Sequence, residues 1–368
     1  MAIPEAEWAR AVAVLSSSAE VALACHVDPD GDALGSMLAL RRFLDGRGVG
    51  TAASWGAAGV PVPVGQVTAA RGDGGEGTLT VPPQYTFLPG LHALTAVADF
   101  PAAPEVLVCL DTGAPDRLGS LRRAARAART VVVLDHHECG DAFGDVRLVD
   151  PAAAATAVLV EELVGRMGGE LDAAMAECLY VGLVTDTGRF QHPSTTPEVM
   201  RLGARLLAHG LDASRINRQV WETHSFGYVK VLSRVLDRAT LVPSVGLAWT
   251  AVLQRDLDEC GIAAQETEGL NDVLRAVEVA EVSLVAKEQP GGAWKVSLRS
   301  RGAVNVGDVA ARLGGGGHAF AAGFTDEGPV EGVADRVRVV LEGLTPSAGE
   351  PRWAVPEPPA QRAGSGRA

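Results

Sequence analysis

Seven consecutive residues, His26-Val27-Asp28-Pro29-Asp30-Gly31-Asp32, hold one imidazole and three carboxylates. Residues 21–25 before them form a continuous apolar run, the pattern of a buried strand. Pro29 and Gly31 interrupt regular structure, so the carboxylates stand on a turn. Asp30 and Asp32, crowded at a strand end, repel each other unless a cation lies between them. Carboxylate oxygens with an imidazole suit magnesium, manganese or another first-row divalent ion. The plainer alternative is a solvated Asx-turn with incidental charges.

Three further turns carry the same chemistry. The apolar run 105–110 ends in Asp111-Thr112-Gly113, and 131–134 ends in Asp135-His136-His137. Residues 172–185, rich in Ala, Leu and Val on every side, read as a buried helix that delivers Asp186. His26, Asp30, Asp32, Asp111, His136 and Asp186 together offer six nitrogen and oxygen ligands. Two octahedral ions sharing one bridging carboxylate use such a set and leave positions for water and phosphate. Asp111 is the candidate bridge, because its strand lies between the others in sequence. Ion pairs of this kind, about 3.5–4 Å apart, activate water for in-line attack on phosphorus. Taken singly, Asp111 reads equally as a helix N-cap, and His136 with His137 as a hydrogen-bonded loop pair. Asp28 and Asp135 suit orienting roles beside ligands. His137 is placed to donate to a phosphate oxygen or to act as general acid.

Strands alternating with helices predict an α/β fold with a parallel sheet covered on both faces. Ligands then bind beyond the carboxyl ends of the strands, where these turns converge. Helices are expected at 7–20, from the first turn to Gly46, and at 118–129, 152–167 and 197–209, with strands at 49–55 and 146–149. Residues 56–83, rich in Gly, Pro and Thr, read as a long excursion. The boundaries expected are a catalytic domain at 1–212, a helical linker at 213–237, a smaller α/β domain at 238–346 and a disordered tail at 347–368.

The smaller domain contains Arg299-Ser300 and four glycines, Gly314 to Gly317, before His318. Glycines Gly315, Gly316 and Gly317 permit a tight backbone nest for an anion, with His318 at its lip and Arg299 as a bidentate donor. The plainer reading is a flexible linker beside a core strand. Arg189 and Arg117 are further candidates to face a substrate.

Composition narrows the choice of ligand. The 368 residues carry a net charge of −13, and only three of the 32 basic residues are Lys. That is a poor electrostatic surface for long nucleic acid, although a few Arg side chains and a metal hold a short phosphate-bearing ligand. Cys25, Cys109, Cys139, Cys178 and Cys260 form no CxxC pair, so reduced thiols in a cytoplasmic protein are expected. Cys139, close to two His, reads as an ordinary small loop residue, a reactive thiol or a soft metal ligand. No signal peptide or long apolar span is expected.

These residues resemble the DHH phosphoesterase superfamily. The stretch from His26 to Asp32 is similar to its first motif, Asp111-Thr112-Gly113 to its second, Asp135-His136-His137 to its third and Thr185-Asp186 to its fourth. Arg299-Ser300 and Gly-Gly-Gly-Gly-His318 resemble the associated DHHA1 substrate-binding domain. The resemblance covers about residues 21–323. It implies a parallel-sheet DHH domain, a smaller α/β DHHA1 domain, a cleft between them and frequent homodimers. Two compact domains without further additions are most similar to the bifunctional oligoribonuclease and pAp phosphatase group.

The implied cofactor is two Mn2+ ions, with Mg2+ or Co2+ as substitutes. His26, Asp30 and Asp111 correspond to the ligands of one, and Asp32, Asp111, His136 and Asp186 to those of the other. Asp111, Asp135 and His137 are the implied catalytic set, with His137 at a phosphate-contacting position; Asp28 stands where many relatives have Asn. The implied substrates are short single-stranded RNA, cut to mononucleotides, and 3′-phosphoadenosine 5′-phosphate, converted to AMP. Neither long duplex nor membrane is an expected partner. A cyclic di-AMP or linear dinucleotide phosphodiesterase is the nearest alternative. A non-catalytic nucleotide sensor has no need for six metal ligands.

Overall fold

The computed structural model describes residues 3–56, 66–69, 77–137, 143–267, 269–317 and 319–344, without the side chains of 66–69, 77, 78 and 265. The chain divides between Thr223 and His224 into two compact units. Among the described residues no helix is long and apolar enough to cross a membrane.

The first unit contains β1 (Glu20–Cys25), β2 (Gly50–Trp55), a two-stranded hairpin of β3 (Gln66–Ala69) and β4 (Gly77–Thr80), β5 (Val106–Leu110), β6 (Thr130–Asp135) and β7 (Val146–Val149). The hairpin lies inside the excursion to which sequence patterning assigns no elements. The main sheet has the order β2-β1-β5-β6-β7, with every pairing parallel. All five residues of β5 are buried, as expected of a strand covered on both faces. The order turns back at β1, whose neighbours are β2 and β5, so a ligand crevice is expected between β1 and β5. Register completes the placement. Cys25 pairs with Leu110 and Leu110 with Leu134, so His26, Asp111 and Asp135 follow side by side at one sheet edge.

The helices of this unit are α1 (Glu5–Ser17), α2 (Gly31–Gly46), α3 (Arg122–Ala127), α4 (Thr156–Arg166), α5 (Ala173–Asp186), α6 (Pro197–Leu207) and α7 (Ala213–Trp221). A helix expected at 118–129 is instead a 3-10 segment, Pro115–Leu121, followed by α3. Gly119, at φ 54° and ψ −126°, breaks the helical path inside that segment. Residues 213–237, expected as one helical linker, form α7 and then α8 (Phe226–Asp237). Side chains of Asp212 and Ser225 cap them, accepting from the N–H groups of Arg215 and Tyr228. Ile216 and Val220 of α7 enter the first unit's core, whereas Tyr228, Val231 and Val235 of α8 enter a core of the second.

The second unit continues with β8 (Thr240–Val242), β9 (Leu247–Val252), β10 (Val282–Glu288), β11 (Trp294–Ser300), β12 (Gly316–Gly317) and β13 (Ala321–Asp326). They form a mixed sheet, β12-β13-β11-β10-β9-β8, in which only β9 and β10 run parallel. Its helices are α9 (Gln254–Cys260), α10 (Leu270–Arg275), α11 (Val306–Arg312) and α12 (Val330–Leu344). Alternate residues of β10 serve two cores. Val282, Leu284 and Ala286 pack with α11 and α12, and Val285 packs with α8, α9 and α10. Asp256 of α9, 2% exposed, accepts from both terminal nitrogens of Arg238 and from the Leu253 N–H. Burial opposes its charge, but Arg238 outweighs that and holds the carboxyl below its usual range. Asp256→Ala is therefore expected to destabilise this unit by about 2 kcal/mol, water at the partly exposed Arg238 relieving part of the loss. Hydrogen exchange should then quicken in β9 to β11 and stay unchanged in β1 and β5.

Candidate metal centre

Four turns supply the candidate centre, each positioned by a different element. Asp30 N-caps α2: its Oδ1 accepts from the N–H groups of Asp32 and Ala33 at 3.1 and 3.0 Å. Its other oxygen lies 3.7 Å from His26 Nε2. Asp186 is the last residue of α5, where the helix dipole disfavours a negative charge. Among the described residues, the non-glycine positions with left-handed backbone are Asp28, Asp111, Arg189 and Phe190. All lie in or directly after these turns, and such conformations cost on the order of 1–3 kcal/mol each. The left-handed φ of 53° at Asp111 turns the chain out of β5, while its N–H still bonds the Leu134 carbonyl at 2.9 Å.

Asp111 is buried and its two oxygens face opposite ways. Oδ2 lies 3.4 Å from His26 Nε2, and Oδ1 lies 3.5 Å from His136 Nε2. His136 Nε2 also meets Asp186 Oδ2 at 3.0 Å and Asp32 Oδ2 at 4.0 Å. Ligand atoms therefore converge in two groups, His26 with Asp30 and Asp111, and Asp32 with His136 and Asp186. A third group joins Asp111, His136 and His137. All six residues expected to bind metal come together in this unit.

The donor chemistry fits divalent cations. Each imidazole offers its Nδ1 to a carbonyl oxygen, Val27 at 2.7 Å for His26 and Ala153 at 3.2 Å for His136. A carbonyl only accepts, so Nδ1 carries the proton and a neutral ring directs its Nε2 lone pair at the carboxylates. Both Nε2 atoms are buried without a hydrogen-bond partner among the described residues. Lone pairs and carboxylates aimed at one point are stable only around positive charge. Without an ion, protons supply that charge. Burial opposes protonation of His26, but Asp111 and Asp30 outweigh it and raise the ring to about 10. At His136 burial is again outweighed, chiefly by Asp186, and the ring rises to about 11. Burial, then the charges of Asp111 and Asp186, push Asp32 above its usual range.

Sequence patterning misses the residues that hold these ligands still. The N-terminus of α4 cradles Asp32, whose oxygens accept from the N–H groups of Thr156 at 2.5 Å and Ala157 at 2.9 Å. Ser36 adds a third bond at 3.1 Å, and the Thr156 hydroxyl donates to Asp111 Oδ1 at 3.1 Å. The one available signal is a lone Thr closing the alanine run 152–155. Tyr85 is also missed: burial, then the Asp30 charge, raise its buried phenol above the usual range. Asp135, fully buried, accepts from the N–H and Nδ1 of His137 at 3.2 and 2.6 Å. The two bonds hold the His137 ring in place.

A model described as the DHH family, N-terminal domain, matches residues 20–183, and one described as the DHHA1 domain matches 250–342. The bifunctional oligoribonuclease and PAP phosphatase NrnA of Thermus thermophilus is 33% identical over 307 residues, covering 83% of this chain and 84% of that protein. The chain belongs to the DHH family. An exopolyphosphatase-related protein from Bacteroides fragilis has the same fold, with a TM-score of 0.81 at 24% identity, covering 93% of this chain and 97% of that one. RecJ of Thermus thermophilus, crystallised with Mn2+, gives a TM-score of 0.55 at 14% identity, covering 93% of this chain and 56% of RecJ. The chain is thus a DHH-family phosphoesterase with a parallel five-stranded DHH unit and a mixed-sheet second unit.

The residues expected to touch substrate fare unevenly in this DHH protein. Arg299 and Ser300 are neighbours on β11 and point to opposite faces of the sheet. Ser300 is buried; its hydroxyl donates to Glu281 at 2.9 Å and accepts the Gly302 N–H. The hydroxyl therefore fixes the 300–304 turn rather than meeting a ligand. Gly314 and Gly315 give their N–H groups to Ala311 and Ala310 and close the end of α11. Only Gly316 and Gly317 run on as an exposed edge strand, so the expected nest is shorter than the glycine run. Gly315 is needed for packing, since a Cβ there would lie 2.1 Å from the Gly323 carbonyl oxygen. Arg189 lies over the Trp221 ring at 5.0 Å. His318 and Cys139 lie outside the described residues.

Proposed function

We propose that this DHH protein hydrolyses phosphoester bonds in short oligoribonucleotides and in 3′-phosphoadenosine 5′-phosphate, releasing mononucleotides and AMP. The observation that carries the reading is the Asp111 carboxylate, with one oxygen directed to each group of ligands. On this reading His26, Asp30 and Asp111 hold one cation, and Asp32, Asp111, His136 and Asp186 hold a second, with Mn2+ the ion of choice. The NrnA likeness supports the substrate class, and Mn2+ in a protein of related fold supports the metal. When bound, such ions polarise a phosphoryl oxygen and make water nucleophilic at neutral pH. The chain's own residues supply position. The N-terminus of α4 fixes Asp32, the Thr156 hydroxyl fixes Asp111, and Asp135 fixes the ring of His137. Arg299 and the Gly316–Gly317 edge are the candidate grip on a second phosphate. Net charge of −13 favours short ligands, because so acidic a chain is poorly suited to retaining a long strand.

A panel of di- to pentaribonucleotides, 3′-phosphoadenosine 5′-phosphate, cyclic di-AMP and a long RNA, each with Mn2+ and with EDTA, tests the proposal. Turnover of the short RNAs and the bisphosphate, abolished by EDTA, is the expected result. A preparation that takes up Mn2+ and cleaves none of them refutes it, and exclusive cleavage of cyclic di-AMP replaces it.

A further inference from the structure

Arg117, a candidate from the sequence to face a substrate, is not among the groups that converge on the metal centre. It follows the 111–113 turn, in the 3-10 segment Pro115–Leu121, and its side chain is exposed. Its backbone is held. The Arg117 carbonyl accepts the Val27 N–H at 2.8 Å, tying it to the first metal-site turn, and its own N–H bonds Ala114 at 3.1 Å. Leu118, next in the chain, is fully buried. Gly56, at the end of β2, packs so closely that a Cβ there would lie 2.1 Å from the Leu118 carbonyl oxygen and 2.8 Å from the Ser120 nitrogen. A rigid base therefore carries an exposed guanidinium. Among the described residues Arg117 forms no ion pair, because its acidic neighbour Asp116 is taken by Arg122.

The guanidinium has one described polar partner, His137, whose Nε2 lies 3.4 Å from Arg117 Nη1. An arginine side chain has donors only, so Nε2 faces it as an acceptor. The other ring nitrogen, Nδ1, donates to Asp135 at 2.6 Å. His137 thus holds one edge of the guanidinium, and Arg117 keeps further N–H donors beyond the one that faces the ring.

We propose that Arg117 is a catalytic residue that grips the non-bridging oxygens of the reacting phosphoryl group, while His137 orients the guanidinium. This rests on the hydrolase reading above and assigns one further contact to it. The planar fork matches two phosphate oxygens at once, which an ammonium cannot do. The ligand class at this corner is a phosphate ester or its inorganic phosphate product.

The test compares wild type, Arg117→Ala and Arg117→Lys, each loaded with Mn2+. Arg117→Ala should lower kcat/KM on a diribonucleotide by about 100-fold and weaken inorganic phosphate binding, measured by calorimetry, by about 10-fold. Arg117→Lys should recover only part of either loss. Tens of millimolar guanidinium ion should restore part of the alanine variant's rate, and melting temperatures should not move. The proposal falls if Arg117→Ala stays within twofold of wild type in both measurements. It also falls if the loss is insensitive to guanidinium and tracks a lowered melting temperature. A wild type that binds phosphate but cleaves no ester defeats the hydrolase reading alone, and phosphate binding by the variants still decides the role of Arg117.

Discussion

Asp111→Asn is expected to reduce phosphoester hydrolysis by at least about 1,000-fold, a loss of about 4 kcal/mol of transition-state stabilisation. Little else changes with the substitution. Asparagine keeps the shape of the side chain, tolerates the left-handed φ of 53° and can still accept the Thr156 hydroxyl bond. What goes is the negative charge that faces His26 on one side and His136 on the other. Far-UV circular dichroism should therefore be unchanged. Thermal shift gives an independent reading. A cation at 100 times its dissociation constant stabilises the native state by about 2.7 kcal/mol, or roughly 5–10 °C for a domain of this size. Wild type should show that rise with Mn2+, and Asp111→Asn should lose most of it. A variant that keeps both the shift and the turnover would mean the two ligand groups do not share this carboxylate.

The parts of the centre that are readable in the sequence are those in which one local pattern ends and another begins. Runs 21–25, 105–110 and 131–134 are apolar enough to be buried strands, and each stops at a polar residue, His26, Asp111 or Asp135, that is buried only with partners. Parallel register then sets those stops side by side. Caps are readable in principle too. Asp212, just before the stretch expected as a helical linker, and Ser225 within it mark the starts of α7 and α8, but hydrophobic periodicity alone does not divide the stretch. Contacts between distant segments are not readable. Nothing near Asp32 announces that Thr156 and Ala157 will hold it, because that cradle depends on where α4 begins relative to a turn 124 residues earlier. Ser300 shows the opposite failure. Strand alternation alone separates it from Arg299, and reading the pair as one motif hides that.

Close packing of α2 against α5 is equally invisible, and it leads to the second large effect, that of Gly182→Ala. By helix propensity the change should stabilise α5 by about 1 kcal/mol. The structure reverses the sign. A Cβ on Gly182 would lie 2.6 Å from Asp32 Oδ1, 3.1 Å from the Ala157 Cβ and 3.2 Å from the Asp32 Cα. Asp32 cannot withdraw, since Thr156, Ala157 and Ser36 all hold its carboxylate. Parting the helices would in turn open their close packing, seen where a Cβ on Gly35 of α2 would lie 2.2 Å from the Cys178 carbonyl oxygen. The strain must then move the end of α5, and with it Asp186, four residues further on. Gly182→Ala is expected to cost about 1–3 kcal/mol in urea unfolding and to weaken Mn2+ binding by at least about 10-fold. Gly165→Ala is the matched control: Gly165 is an exposed α4 position where an added methyl would meet nothing within 4 Å, and it should gain stability with unchanged metal affinity. If both variants gain stability and bind Mn2+ like wild type, contact between α2 and α5 does not position the ligands, and their alignment must come from the sheet edge alone.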